Sequence, residues 1–191
     1  GVMCNKPVLS DKRVRQAIAH GINIKSIFED LQKGRGELAH GPVPPGIPGY
    51  RADIQPREHD PEKAKRLLAE AGVKDLTLTF WYREEALGQE MVQSIKGDLE
   101  KIGIKLVVVT RDLASFREAI WNGEPDLFFG SWWLDYPDVE NAVVPTFHSR
   151  NIPRQGNQCH FSDPEVDRLL EDAEHEPDEK VRIAKYEKAI D

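Results

Sequence analysis

The sequence predicts an α/β fold built on a central, mostly parallel β-α-β-α-β sheet flanked by helices. Three observations carry that expectation. Between residues 76 and 132, three short stretches rich in β-formers alternate with stretches of helical period. The connections between them are short, which favours right-handed crossovers feeding parallel strands. The 191 residues are 39% hydrophobic, enough to bury a real core without disulfides or a structural metal.

The elements follow in order. Val14, Ala17 and Ile18 recur at helical spacing, with Ser10 or Asp11 placed to cap a first helix over about 11–20. Asn23 caps a second, short helix with an apolar stripe of Ile24, Ile27, Phe28 and Leu31, ended by Gly34 and Gly36. From Gly41 to Pro56 the chain holds Pro42, Pro44, Pro45, Pro48 and Pro56 and is expected to be an extended surface loop, because proline supplies no ladder or helix donor. Asp60-Pro61-Glu62 starts a third helix that buries Ala64, Leu67, Leu68 and Ala71 and stops at Gly72.

The rhythm then changes. Leu76 to Tyr82 alternates as a strand; Met91, Val92, Ile95, Leu99 and Ile102 mark a helix ended by Gly103; Ile104 to Val109 is the second strand. Leu113, Phe116 and Ile120 form a further helix face, and Asp126 to Trp132 is expected as the third strand. A polar turn, Leu134 to Asp138, leads to a short apolar helix near Val139 to Phe147, and Ser149 to Gln158 is loop. Asp163-Pro164-Glu165 repeats the helix-start device, and Pro177-Asp178 opens a last helix that is still running at Asp191, as in a truncated chain.

Composition excludes several classes. Lys plus Arg total 26 against 33 Asp plus Glu, a net charge of -7, so the chain has no general attraction for phosphate backbones and no nucleic-acid partner is expected. No apolar run approaches the ~20 residues of a spanning helix. No basic stretch followed by an apolar one opens the sequence as a signal peptide would. No Gly-x-Ser-x-Gly elbow is present, and Cys159-His160 are sequence neighbours that point apart. The six histidines and two cysteines show no metal-ligand spacing, so neither metal nor cofactor is expected. Gly34-Arg35-Gly36 has no strand before it or helix after it and fails as a phosphate loop. Cys4 and Cys159 are compatible with one bridge or with two thiols.

One cluster stands out. Trp132, Trp133, Asp135, Tyr136 and Asp138 fall at the carboxyl end of the expected third strand, where open α/β sheets bind ligands. Alternation would send one tryptophan into the core and the other into a cleft, and aromatic walls plus an acid suit a cationic ligand. The plainer reading makes both tryptophans core and both acids a solvated turn, with Asp138 capping the next helix. Paired carboxylates at Asp135 and Asp138 would also suit a hydrolase, but no substrate groove accompanies them.

Asn5-Lys6-Pro7 with Asp11-Lys12-Arg13-Val14-Arg15-Gln16-Ala17-Ile18 resembles the opening of the large C-terminal lobe of family 5 extracellular solute-binding proteins. Four further stretches match in family order: Pro44-Pro45-Gly46 to Gly49-Tyr50, the Asp60 to Gly72 helix, Ile102-Gly103-Ile104, and Asp163 to Leu170. The resemblance implies that residues 1–191 form a single periplasmic-binding-protein-like lobe, truncated at its C-terminal end and lacking its N-terminal partner lobe. It implies a substrate-binding component of an ABC importer, not an enzyme, that delivers peptides to a membrane permease. Such a protein is exported, as a periplasmic protein or a cell-surface lipoprotein. Relatives that bind nickel chelates, oligosaccharides or opines share the fold. By the same resemblance Asp135 is the acid that pairs with a ligand α-ammonium, Trp132 is the pocket-wall aromatic and Tyr136 lines the site; Trp133, a candidate ligand-binding residue from the aromatic cluster, stands with Leu134 where some peptide binders have smaller residues, which bears on ligand size. In some relatives a cysteine near the start of this lobe is bridged; Cys4 fits that start, Cys159 does not clearly match its partner, and a Cys4–Cys159 bridge stays open.

Overall fold

The computed structural model describes residues 1–31, 33, 36–83 and 88–190. Gly34 and Arg35, expected in a helix stop and a rejected phosphate loop, and the terminal Asp191 lie outside these. The chain divides into two compact units, residues 1–38 with 57–130 and residues 39–56 with 131–191.

The first unit holds the sheet. Strands β1 (Leu76–Tyr82), β2 (Ile104–Thr110) and β3 (Leu127–Phe128) lie in the order β2-β1-β3, all parallel. Leu78, Phe80 and Tyr82 of β1 and Ile104 and Leu106 of β2 share one buried face, as the period of two requires. Five helices among the described residues belong with them: α1 (Lys12–Gly21), the single turn α2 (Ile24–Ser26), α3 (Pro61–Glu70), α4 (Gln89–Lys101) and α5 (Leu113–Trp121). Val14, Ala17 and Ile18 of α1, Ala64 and Leu68 of α3, and Val92 and Leu99 of α4 complete the core. After α2 the chain continues as a π-helical stretch over Ile27–Leu31. Helix α5 (Leu113–Trp121) buries Phe116, Ala119 and Ile120.

Three of the caps are those the sequence announces, and Asp112 adds a fourth. Asp11 accepts from the Arg13 N–H, Asn23 from Ser26, Asp60 from Lys63 and Asp112 from Ala114 and Ser115. Gly72 and Gly103 take positive φ, 71° and 86°, to stop α3 and α4.

The third strand departs from expectation. β3 is only Leu127–Phe128 and does not reach Trp132. The cause is its partner. Phe80 pairs with Leu127 and Trp81 with Phe128, and the Phe129 N–H reaches the Trp81 carbonyl at 2.9 Å. One residue later β1 ends at Tyr82, so residues beyond Phe129 have no ladder left to join. Below β3 a side chain takes over: Asp126 accepts from the Thr79 N–H (2.8 Å) and hydroxyl (2.9 Å).

The second unit is helical. Helices α6 (Val139–Phe147), α7 (Pro164–Glu174) and α8 (Glu179–Ile190) bury Val139, Ala142, Val143, Val144, Leu170, Ala173 and Tyr186, with Val43 from the proline-rich loop. That loop has no helix or strand, as its prolines dictate. The polar interior is dense. Asn157, fully buried, donates to the Phe161, His148 and Phe147 carbonyls and accepts from the Phe161 N–H. Asp167 accepts from the Ser149 N–H and hydroxyl.

Among the described residues no helix is long and apolar enough to cross a membrane. Both cysteines are thiols and no Cys4–Cys159 bridge is formed; the Cys4 thiol donates to the Val2 carbonyl at 3.4 Å.

Candidate functional site

Because β3 stops at Phe128, the aromatic cluster sits on an irregular segment that runs from Ser131 into the N-terminus of α6. Strand alternation therefore does not sort the two tryptophans. Trp132 is 39% exposed and Trp133 82% exposed, so neither is core and both readings of the tryptophans are corrected, while Asp138 caps the next helix as the plainer reading has it. Tyr136 is also exposed, at 48%.

The segment is held by α6. The Trp132 indole N–H donates to the Asn141 carbonyl at 2.8 Å, and the Asp135 N–H donates to Asn141 Oδ1 at 2.8 Å. The Tyr136 hydroxyl donates to Glu140, a bond that pushes its phenol pKa up by favouring the protonated form.

Asp135 and Asp138 turn out to do different things. Asp138 caps α6, accepting from the Glu140 N–H at 2.8 Å, and also receives both arms of the Arg182 guanidinium at 2.9 and 2.7 Å. Arg182 holds the Asp138 carboxyl below the usual carboxylate range, and Asp138 in turn raises Arg182. Asp135 is exposed, and among the described residues its carboxylate has no hydrogen-bond or ion-pair partner; only its backbone is tied. A carboxylate left free beside three exposed aromatics can take a cation from outside the chain.

A depression of about 370 Å³ next to Tyr136 is lined by Asp138, Glu140, Glu174, Arg182 and Tyr186. Three of its charges are ion-paired within the chain, Asp138 with Arg182 and Glu174 with Arg150, and Glu140 accepts from the Tyr136 hydroxyl. Among the described residues, no group of three His, Cys, Asp or Glu converges to hold a metal ion.

Three residues of this arrangement were not singled out in the sequence: Asn141, Pro145 and Arg182. Asn141 carried a signal, a lone amide in the apolar run Val139 to Val144. Pro145 carried another, four residues on, inside the same helical stretch. Arg182 carried none, because its partner lies 44 residues away.

Residues 2–154 match the model of the bacterial extracellular solute-binding proteins, family 5, middle region. The chain is 33% identical over 190 residues to heme-binding protein A of Haemophilus influenzae and 30% identical over 191 residues to a probable di/tripeptide-binding protein of Pseudomonas aeruginosa, covering 96% of this chain in each case. It spans about 35% of the length of those curated relatives. It superposes with a TM-score of 0.91 and 29% identity on a periplasmic binding protein of Helicobacter pylori solved with the peptide STSA, over 99% of this chain and 37% of that one.

Proposed function

The chain belongs to the family 5 bacterial extracellular solute-binding proteins, and from that premise we propose that it forms one lobe of the peptide-binding component of an ABC importer. Its α/β fold is that of periplasmic-binding-protein lobes. In this reading residues 1–191 are a single lobe, and a second, N-terminal lobe of the same protein supplies the facing wall of the cleft; the 35% share of the relatives' length supports that. The receptor works outside the cytoplasm, in the periplasm or as a surface lipoprotein, and hands its cargo to a membrane permease. In this reading it binds without catalysis, which the pairing of Asp138 with Arg182 supports, since Asp138 is not a free second acid beside Asp135.

The observation that carries the reading is the partnerless, exposed carboxylate of Asp135 beside Trp132, Trp133 and Tyr136. On closure a peptide α-ammonium would pair with Asp135 while water is excluded, and a charge left unpaired there would cost several kcal/mol. Main-chain bonds to the peptide backbone would leave side-chain type free to vary. The P. aeruginosa relative's name and the peptide in the H. pylori structure support peptides as cargo. A non-peptide solute is the second reading, favoured by the 33% identical relative named for heme.

The test uses the whole receptor, purified without added ligand and then denatured, with the released molecules identified by mass spectrometry. Peptides with free N-termini are expected. A single porphyrin, sugar or metal chelate would keep the fold and remove the ammonium anchor.

A further inference from the structure

We infer that Asn141, with its carbonyl opened by Pro145, is the positioning residue that presents Asp135; this rests on the ammonium-anchor reading above. An α-helix satisfies each carbonyl with the N–H four residues on. The carbonyl of Asn141 would take the N–H of residue 145, and proline has none. The helix therefore contains an acceptor without its ordinary donor, and the Trp132 indole fills it at 2.8 Å. The side chain of the same residue takes the Asp135 N–H. Asn141 itself is buried, with 4% of its surface exposed, so its side-chain oxygen cannot turn to water instead.

Two bonds from one residue thus fix both ends of the 132–135 segment. The first leaves the Trp132 ring oriented while partly exposed. The second ties the Asp135 backbone, so that the carboxylate is displayed without being consumed by an internal partner. Irregular chain is ordinarily mobile, and an anchor on mobile chain loses affinity to ordering. Here a helix performs the ordering in advance.

The test uses the whole receptor, labelled for NMR at tryptophan and aspartate. In the unmutated protein the Asp135 amide should exchange at least ~10-fold more slowly than the neighbouring Trp133 amide. Asn141→Leu should abolish that difference and weaken binding of a free-N-terminus peptide by roughly tenfold, with only a further ~2-fold loss when added to Asp135→Asn. Pro145→Ala, which restores a helix donor and is compatible with folding, should speed exchange of the Trp132 indole N–H while leaving the Asp135 amide slow.

An Asp135 amide as fast as that of Trp133 in the unmutated protein would overturn the inference, as would an unchanged Trp132 indole in Pro145→Ala. A full tenfold loss from Asn141→Leu on top of Asp135→Asn would also overturn it, since Asn141 would then not act through Asp135. If Asp135→Asn alone leaves affinity unchanged, it is the ammonium anchor that fails, and the exchange rates alone decide on Asn141.

Discussion

The two units of the chain are stabilised in different ways. In the first, buried side chains are almost all apolar and arrive at regular intervals: Leu78, Phe80 and Tyr82 from a strand, Val92 and Leu99 from a helix. In the second, helices α6 to α8 bury fewer apolar groups, and two buried amides and a half-buried carboxylate tie the intervening chain to them: Asn141 to the 132–135 segment, Asn157 to the Phe147–Phe161 loop, Asp167 to Ser149. Apolar burial is tolerant of which side chain fills the volume, whereas a buried amide needs its partners at fixed positions. The candidate binding segment belongs to the second kind of structure. A site that must project a free charge from irregular chain needs specific bonds to hold it.

The comparison can be broken by mutation. The largest effect is expected in the first unit, where Leu99→Ala should cost about 3–5 kcal/mol in denaturant melts, while the volume-conserving Leu99→Met costs under about 1.5. In the second unit Asn157→Ala should cost about 2–3 kcal/mol, and Asn157→Leu should rescue none of it, because the Phe147 and Phe161 carbonyls lose the amide donor and the Phe161 N–H its acceptor however well the space is filled. Rescue by leucine would erase the distinction between the units.

Asp138→Ala should cost about 2 kcal/mol through the lost α6 cap and the lost Arg182 pair. This contribution depends on pH with a definite sign. Asp138 has a folded pKa depressed below its unfolded value, so its stabilisation is complete above the unfolded pKa of about 3.9 and disappears as pH falls through the folded one. Urea melts of wild type and Asp138→Asn should therefore differ at pH 6 and converge at strongly acidic pH. The smallest effect is expected at Asp135, where Asp135→Asn should change stability by less than about 0.5 kcal/mol, because its carboxylate has no partner among the described residues.

The same contrast explains what could be read in advance. Helix starts such as Asp60-Pro61 and Asp163-Pro164, stops such as Gly72 and Gly103, and the alternation of β1 are local, and each was legible. The length of β3 was not, because it is limited by where β1 ends at Tyr82 and not by its own composition. A run as β-prone as Leu127 to Trp132 reads as one strand until its partner is known. At the candidate site, the residue types of Trp132, Trp133, Asp135 and Tyr136 drew attention, yet their exposure depended on that same strand end. The division of labour between Asp135 and Asp138 depended on Arg182, three helices' worth of chain away, and no spacing announces such a pair.

The central proposal is that the Asp135 carboxylate, without a partner among the described residues, pairs with a ligand's ammonium. The most direct test is calorimetric titration of the whole receptor and its Asp135→Asn variant with a peptide bearing a free N-terminus and with the same peptide N-acetylated. The account predicts that the variant loses roughly 2–5 kcal/mol of affinity for the free peptide, while the acetylated peptide binds both proteins equally weakly. Undiminished affinity of the variant for the free peptide would contradict it.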